Sequence, residues 1–280
     1  MISVIVPAWN NWAMTHKCLS GLRATLPKSA EVILVDNGST DCTPSEVARL
    51  HPGVRVVRHE ENLGFARGSN SGLKAARCEL VCFLNNDTEL IRGWWRAAAT
   101  RLHEEKDLGA VGGLLLNEDR RTVNHLGIAF TDQYRDPVPR LPLPCHLYRN
   151  ARVRSLPKRA LISRDLQAVT GACMMMRRDV ALSLDGFHEG FLNGFEDVDL
   201  CFRLRFELGM RVSLEPNMKL IHAESRTPGR FDYETENAIL FDQRWGGRVI
   251  IDAEDMIRSD LYGSGCSGAR MDASSRASAN

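Results

Sequence analysis

Residues 79–90 have the sequence ELVCFLNNDTEL, an apolar run that ends abruptly in two amides, a carboxylate and a hydroxyl. The apolar part is typical of a strand covered by helices on both faces, because such strands lose the alternation of polar and apolar residues. The polar end has two interpretations. Asn, Asp and Thr readily bond to nearby backbone in an ordinary turn, or the cluster at 85–87 belongs to a functional site. The rest of the chain decides between them.

The first half of the chain repeats such apolar runs between segments with helical spacing. The runs are residues 2–8, 31–37, 54–60 and 79–87. Helical spacing separates them, through Leu19 and Leu22 and again near Val47. This alternation predicts an α/β fold in which a doubly wound, mostly parallel sheet carries helices on both faces.

Polar clusters follow three of these predicted strands. They are Asn10 after the first strand, residues 36–41 after the second and residues 85–87 after the fourth. The carboxyl ends of parallel strands share one edge of the sheet, and open sheets bind their ligands at that edge. We therefore expect the three clusters to contribute to one site.

Size, charge and apolar content exclude several classes of protein. With 280 residues and 44% apolar side chains, the chain can bury a substantial core. Its 36 basic and 35 acidic side chains nearly cancel, so the overall charge does not indicate binding to nucleic acid or to an anionic membrane. No apolar stretch is long enough to span a bilayer, and no basic segment precedes the first apolar run. These features predict a cytoplasmic protein with reduced, mostly buried cysteines.

The second half of the chain contains an insertion and further elements. Residues 135–164 hold five prolines and many cations, which indicates a long, basic, irregular insertion. A strand-like segment follows at 168–178, then a helix that begins near Asp197, a strand near 211–216 and a helix through Phe241 and Trp245. Residues 1–262 are expected to form one domain. Residues 263–280 are small and polar and are expected to form a disordered tail.

Two common nucleotide-binding loops are missing. After the first strand the chain has PAWNNWAMT where dinucleotide-binding proteins have G-x-G-x-x-G, and G-x-x-x-x-G-K-[ST] does not occur. A nucleoside site without these loops remains compatible with the sequence. Asp36 is placed to accept hydrogen bonds from a base or ribose, beside the tight backbone of Gly38. An Asx turn within 36–41 explains the same residues equally well.

The segment NLGFARGSNSGL indicates a turn, at Asn62 and Gly64, before a helix. Gly68 and Asn70 on this helix are small or polar, which permits close approach of a ligand. A helix N-terminus beside a strand edge suits a diphosphate. Asp87 is then a candidate ligand for a cation that bridges the two phosphates, because Mg²⁺ and Mn²⁺ prefer hard oxygen ligands and substrate phosphates.

Seven segments together resemble the family 2 glycosyltransferases, which are inverting enzymes with the GT-A fold. The segments are VIVPAWN (4–10), VDNGSTD (35–41), NLGFARGSNSGL (62–73), LNNDTEL (84–90), TGACMMMRRDV (170–180), GFEDVDLCFRLRFELG (194–209) and LIHAES (220–225). The sequence is most similar to the branch that contains rhamnosyltransferases and other O-antigen or capsule enzymes. The resemblance extends from Ile2 to about Glu224.

The resemblance implies a nucleotide-sugar site at the strand ends. It assigns Asp36 to the nucleoside and places the family's Asp-x-Asp element on residues 85–87, with Asn85 in the place of the first acid. The other residues expected at this site are Pro7, Ala8, Asn10, Gly38, Asn62, Gly64, Asn70, Asn86, Gly171 and Ala172.

The resemblance also implies a metal site and a base. Asp87 and His222 match the ligands of a Mn²⁺ or Mg²⁺ ion, and Asp197 matches the catalytic base, with Glu196 beside it to orient the substrate. Inverting transfer needs only one base and one charge stabiliser. The paired carboxylates of a glycoside hydrolase are a poor alternative, because neighbours in a helix do not face each other. Helix capping by the two acids is compatible with catalysis.

We therefore expect an inverting transferase that moves a sugar from a UDP- or dTDP-sugar to a hydroxyl of a glycan or lipid-linked acceptor, in cell-surface polysaccharide biosynthesis. The expected location is the cytoplasm, where association with the inner face of the membrane is compatible with the sequence. A catalytically silent nucleotide-sugar-binding module or partner subunit is the alternative that Asn85 leaves open. A sugar-phosphate nucleotidyltransferase is disfavoured, because PAWNNW is not a glycine-rich, basic activating loop.

Overall fold

The computed structural model describes residues 1–132, 141–223 and 232–263. Residues 135–140 of the predicted insertion and 264–280 of the predicted tail lie outside the described residues. The strands are β1 Ile2–Ala8, β2 Glu31–Asn37, β3 Arg55–His59, β4 Leu80–Leu84, β5 Thr88–Leu90, β6 Leu108–Leu116, β7 Val123–His125, β8 Ile128–Thr131, β9 Leu143–His146, β10 Arg164–Asp165, β11 Cys173–Arg177 and β12 Arg211–His222. The helices are α1 Trp12–Thr25, α2 Thr43–Leu50, α3 Gly64–Ala75, α4 Arg96–Glu104, α5 Arg178–Ser183, α6 Glu196–Phe206, α7 Glu234–Trp245 and α8 Ala253–Tyr262.

One large sheet organises these elements. Its strand order is β10-β12-β6-β11-β4-β1-β2-β3, with β5 paired to β12 and β7 paired to β6. The four strands of the first half pair in parallel, in the order β4-β1-β2-β3, as the alternation of strand-like and helical segments predicted. β11 lies antiparallel between β4 and β6, and β12 is parallel to β6. The predicted α/β fold is confirmed.

Helices cover both faces of the sheet because successive side chains of each strand point to opposite faces. In β1, Ile5 packs in one core cluster with Leu73 of α3, whereas Val4 and Val6 pack in the other with Leu19 of α1. The first cluster also contains side chains of α6 and α7, and the second contains side chains of α2 and α4. Among the described helices, none is both long enough and apolar enough to cross a membrane.

Two stretches differ in detail from their predicted form. The predicted strand near 211–216 and the segment after it are a single strand, β12, whose register shifts between Glu215 and Lys219. In the predicted insertion, residues 141–164 carry only short elements. Of these, β9 pairs with β8 in a separate two-stranded sheet, and two 3₁₀ turns follow at Val153–Ser155 and Lys158–Leu161.

Glycines of α3 let this helix lie close to the sheet. A Cβ on Gly72 would come within 2.9 Å of Val35 Cγ2 and closer still to Ile5 Cγ2, and a Cβ on Gly68 would lie 2.8 Å from Asn37 Nδ2. The small residues of this segment therefore permit packing of the helix on β1 and β2. The interpretation that Gly68 permits close approach of a ligand therefore needs correction, because its neighbour is the Asn37 side chain.

This packing predicts that Gly72→Ala destabilises the fold. Alanine gains about 1 kcal/mol of helix propensity over glycine, but overpacking a filled core costs about 1–3 kcal/mol. We expect a net fall in the free energy of unfolding, measured by urea denaturation. The matched control is Gly53→Ala, because no atom lies within 4 Å of a Cβ there, and its effect should stay within about 0.5 kcal/mol. A Gly72→Ala chain as stable as wild type would contradict the close packing.

Candidate active site

A cleft of about 500 Å³ opens at the carboxyl ends of β1 and β4. The predicted site residues that line it are Pro7, Ala8, Asn62, Gly64, Asn85, Asn86, Asp87, Gly171, Ala172, Glu196 and Asp197. The loop 85–87 and the segment before β11 are joined directly, because the Asn85 amide donates to the Ala172 carbonyl oxygen at 3.0 Å. The cluster at 85–87 thus meets the segment before β11 at this edge of the sheet.

Asp36, Asn10 and Gly38 form a turn beside the cleft and do not line it. The buried Asp36 carboxylate accepts hydrogen bonds from Arg58 Nη1 at 2.6 Å and from the Ser39 amide at 2.9 Å. Asn10 Oδ1 accepts from the Thr40 amide at 2.8 Å. This is the local turn that the sequence offered as the alternative for 36–41. Contact between Asp36 and a nucleoside stays a prediction.

Gly38 is required by the same turn. Its φ of 73° lies in the left-handed region that favours glycine, and a Cβ there would lie 2.7 Å from the backbone of Glu61. This glycine therefore shapes the loop by its conformation and by close approach of another backbone segment.

Asn70 is placed elsewhere than predicted. Its buried side chain donates from Nδ2 to the Phe187 carbonyl oxygen and accepts at Oδ1 from the Phe187 amide, both at 2.8 Å. A further bond of 3.2 Å joins Nδ2 to Glu189. Asn70 thus connects α3 to the segment before α6 and does not line the cleft. Its contact with the nucleotide sugar stays a prediction.

Asp87 and His222 meet at one corner of the cleft. His222 Nε2 lies 3.1 Å from Asp87 Oδ1 and 3.3 Å from Asn85 Nδ2. Pairing of β5 with β12 creates this contact, since it sets His222 opposite Thr88 and lets the Ala223 amide donate to the Asp87 carbonyl oxygen. Both side chains are largely buried, at 4% exposure for His222 and 10% for Asp87.

Among the described residues, this corner offers two candidate metal ligands, Asp87 and His222. Within residues 1–132, 141–223 and 232–263, no three His, Cys, Asp or Glu side chains converge in a way that could hold a metal ion. A cation here would need further ligands from a substrate. That arrangement is common for Mg²⁺, which is often bound by one or two carboxylates together with substrate phosphates.

The cleft is strongly acidic. Its described lining includes five carboxylates and no Lys or Arg; the acids are Asp87, Glu196, Asp197, Asp232 and Glu234. A diphosphate that entered beside these groups would meet like charges at close range, which disfavours binding in a partly desolvated site. A bound cation is the simplest way to make such a cleft compatible with an anionic substrate.

Asp197 stands at the start of α6 with its carboxylate held in place. Asp197 Oδ2 accepts a hydrogen bond from the Gly171 amide at 2.7 Å, and Oδ1 accepts one from the Val198 amide at 2.8 Å. The neighbouring Glu196 turns back toward its own loop, where Oε2 accepts from the Gly194 amide at 2.6 Å. The two acids therefore bond to different segments, Asp197 to Gly171 before β11 and Glu196 to Gly194 in its own loop.

Cys18, a buried cysteine beneath the 85–87 loop, is an unreactive thiol. Cys18 Sγ lies 3.8 Å from the Asn85 carbonyl oxygen and 3.7 Å from Thr88 Oγ1. Burial raises the pKa of Cys18 to about 12. The thiol is therefore neutral near pH 7 and packs under the loop, without the thiolate character that a nucleophile needs.

Sequence reasoning missed part of the cleft wall. The additional lining residues include His146 on β9 and Asp232, Tyr233, Glu234 and Asn237 at the start of α7. They reach the cleft through pairing of β9 with β8 and through packing of α7 on α6. No local motif marks them, so the sequence carried no signal that could have identified them.

Comparison with known proteins places these features in a family. A family model described as Glycosyl transferase family 2 matches residues 3–184. The chain is 32% identical over 231 residues to the O-antigen biosynthesis protein RfbC of Myxococcus xanthus. The alignment covers 80% of this chain and 17% of RfbC. It is 25% identical over 248 residues to the N-acetylglucosaminyl-diphospho-decaprenol L-rhamnosyltransferase of Mycobacterium tuberculosis, which covers 82% of this chain and 78% of that enzyme.

The fold also matches a solved structure. A crystal structure of GalNAc-T7 with UDP, GalNAc and Mn²⁺ superposes with a TM-score of 0.65 at 15% identity, covering 88% of this chain and 48% of GalNAc-T7. This likeness shows that the fold is GT-A. The chain spans 17–33% of the length of RfbC and of two uncharacterized relatives.

Proposed function

The chain belongs to glycosyltransferase family 2, and on that premise we propose that it transfers a sugar from a UDP- or dTDP-sugar to an acceptor hydroxyl with inversion at the anomeric carbon. The proposal rests on two features at one cleft. The first is Asp197, whose carboxylate accepts from the Gly171 amide, and the second is Asp87 with His222 3.1 Å away. One supplies a base and the other a place for a cation.

The proposed cation is Mn²⁺ or Mg²⁺, held by Asp87 and His222. The residues fit it, because a carboxylate oxygen and an imidazole nitrogen already converge and the cleft contains no Lys or Arg among its described lining residues. When bound, the ion would neutralise charge on the departing nucleoside diphosphate. The Mn²⁺ and UDP in the GalNAc-T7 structure support this proposal by analogy of fold.

The donor is proposed to lie along the edge formed by β1 and β4. Pro7 and Ala8 end β1 at the cleft, and Asn62 and Gly64 lie at the start of α3, where backbone amides and the helix dipole favour an anionic group. Asp36 and its turn are proposed to contact the nucleoside from beside this edge. Asn85 and Asn86 then lie near the diphosphate, and Gly171 and Ala172 near the sugar.

Asp197 is proposed to remove the proton of the attacking hydroxyl. Its two backbone hydrogen bonds fix the direction of the carboxylate, so its remaining lone pairs are available toward the cleft. Glu196 is proposed to orient the substrate through the 193–195 loop, to which it bonds at Gly194. The acceptor approaches from the wall formed by the start of α7 and β9.

The biological setting is proposed from the relatives' names. RfbC is an O-antigen biosynthesis protein, and the Mycobacterium tuberculosis relative is a rhamnosyltransferase with a diphospho-decaprenol-linked substrate. Similarity to both supports a glycan or lipid-linked acceptor in cell-surface polysaccharide biosynthesis, at the cytoplasmic face of the membrane. A donor and acceptor screen tests this directly: mass spectrometry should detect one sugar transferred, and NMR of the product should show an inverted anomeric configuration. A chain that binds nucleotide sugars but transfers none to any acceptor would favour a silent binding module.

Nucleotide binding is predicted to require the cation. UDP or dTDP should raise the melting temperature in Mn²⁺ or Mg²⁺, because a ligand that binds the native state stabilises it by about 2.7 kcal/mol at a concentration of 100 times Kd. In excess EDTA the shift should disappear, since the acidic cleft then repels the diphosphate. Differential scanning fluorimetry measures both shifts, with the metal alone as control. Equal stabilisation with and without EDTA would refute a metal-bridged site.

A further inference from the structure

A row of two amide side chains runs behind His222, outside the cleft. Asn124 on β7 is 1% exposed, and its Oδ1 lies 3.0 Å from His222 Nδ1. Asn124 Nδ2 lies 3.2 Å from Oδ1 of Asn117, the residue that follows β6. The row therefore meets the imidazole on the nitrogen opposite to the one that faces Asp87.

The contact between Asn117 and Val123 determines which way the NH₂ group and the oxygen of each side-chain amide point. Asn117 Nδ2 lies 3.2 Å from the Val123 carbonyl oxygen, which can only accept a hydrogen bond. Asn117 must therefore turn its NH₂ toward Val123 and its oxygen toward Asn124. Asn124 in turn must give its NH₂ to Asn117, and its oxygen is left to face His222.

An amide oxygen at Asn124 fixes the proton on the imidazole. Because this oxygen only accepts, His222 Nδ1 must carry a hydrogen, and the lone pair of the neutral ring lies on Nε2. Nε2 is the atom 3.1 Å from Asp87 Oδ1 and within reach of the Asn85 NH₂. We infer that Asn124, held by Asn117, is a positioning residue that keeps His222 in the tautomer able to ligate a cation through Nε2.

The role follows a general property of metal-binding histidines. The second ring nitrogen of such a histidine almost always donates to an acceptor that fixes the ring's tautomer and orientation, and loss of that acceptor lowers metal affinity. Here the acceptor is a side-chain amide that is oriented by a second amide and a backbone carbonyl. The identity of the cation rests on the proposed function, whereas the tautomer rests on the hydrogen bonds alone.

The tautomer can be measured on the unaltered chain. Two-bond ¹H–¹⁵N correlation spectra of the full protein labelled at its eight histidines distinguish protonated from unprotonated ring nitrogens, and His222→Gln identifies the signal of His222. We expect Nδ1 of His222 to be protonated, both in metal-free protein and with Mg²⁺ and UDP. A His222 ring that carries its proton only on Nε2 would overturn the inference.

Metal affinity tests the role of Asn124 itself. With UDP present, Asn124→Leu, which fills similar space without an acceptor, should weaken Mn²⁺ binding measured by electron paramagnetic resonance by about 10- to 100-fold. Asn124→Asp keeps an acceptor oxygen toward His222 and should bind Mn²⁺ more tightly than Asn124→Leu, although its second oxygen faces Asn117 Oδ1. The matched control is Asn150→Gly, which removes another amide that contacts Asn117 at 3.2 Å but leaves the row intact. Its affinity should be unchanged.

Different results would contradict the role of Asn124 and the proposed metal site. A folded Asn124→Leu chain with wild-type Mn²⁺ affinity would overturn the positioning role. Equal losses in Asn124→Leu and Asn124→Asp, with His222 protonated on Nδ1 in both, would overturn it as well, because the loss would then come from packing. A wild-type chain that binds no Mn²⁺ beside UDP contradicts the proposed metal site, and the tautomer is then decided by the NMR spectrum of the metal-free protein.

Discussion

Asp197→Asn is expected to lower the rate of sugar transfer by at least about 10²-fold while nucleotide and Mn²⁺ binding remain near wild type, because general bases typically contribute about 10²- to 10⁴-fold. Asn keeps the shape of the side chain but cannot take a proton. Its single oxygen can still accept from the Gly171 amide, so only the bond from Val198 is lost. The expected cost in stability is about 1 kcal/mol. Turnover under saturating donor and acceptor, with calorimetric nucleotide binding, measures both effects.

Two neighbouring acids serve as controls for Asp197. Glu196→Gln should have a milder effect, since Glu196 bonds back to Gly194 and is proposed only to orient the substrate. Glu234→Gln changes another carboxylate of the cleft wall, on α7, and should leave most of the turnover intact. If Asp197→Asn retained most of its activity while Glu196→Gln lost it, Glu196 would be the base.

The sheet could be predicted because its strands carry a signal that is local. Strands buried on both faces are uninterrupted apolar runs, and polar residues at their ends mark the edge where ligands bind. Asp87 was predicted from its place at such a strand end, whereas Asp197, at the start of a helix, was predicted from the family resemblance; both line the cleft. The contact between Asp87 and His222 was less evident. It depends on pairing of β5 with β12 across more than 130 residues of chain, and β5 is only three residues long.

Two residues at or behind the site, His146 and Asn124, could not be predicted from the sequence. His146 lies on a short strand inside a proline-rich stretch, and Asn124 acts only through His222. Neither position has a distinctive local pattern. The small residues of α3 gave a misleading signal for a related reason. Glycine permits close approach of any neighbour, and for Gly68 the neighbour is the side chain of Asn37 at the end of β2.

Asp36 shows how a family resemblance and a local structure can describe one residue differently. The resemblance assigns the acid to the nucleoside, whereas both carboxylate oxygens are held by Arg58 and the Ser39 amide. The two descriptions are compatible, because these hydrogen bonds also hold the 36–41 turn in the position from which it is proposed to contact the nucleoside. The Arg58 side chain is 48% exposed, so it can move without disturbing the core.

Asp87→Ala is expected to abolish the dependence of nucleotide binding on Mn²⁺ and to lower transfer by about 10²- to 10³-fold, because a bound cation supplies several kcal/mol of charge stabilisation. The substitution removes the only carboxylate within bonding distance of His222 Nε2 in the described structure and leaves the histidine as a single ligand. Calorimetric titration of UDP with Mn²⁺ and with EDTA, together with turnover, measures both losses. The matched control is Asn85→Asp, which adds a carboxylate near His222 at the position of the family's first acid and should keep or strengthen metal-dependent binding. If Asp87→Ala still bound UDP more tightly in Mn²⁺ than in EDTA, the cation would lie elsewhere in the acidic cleft, and Asp87 would be there to hold the β5–β12 corner.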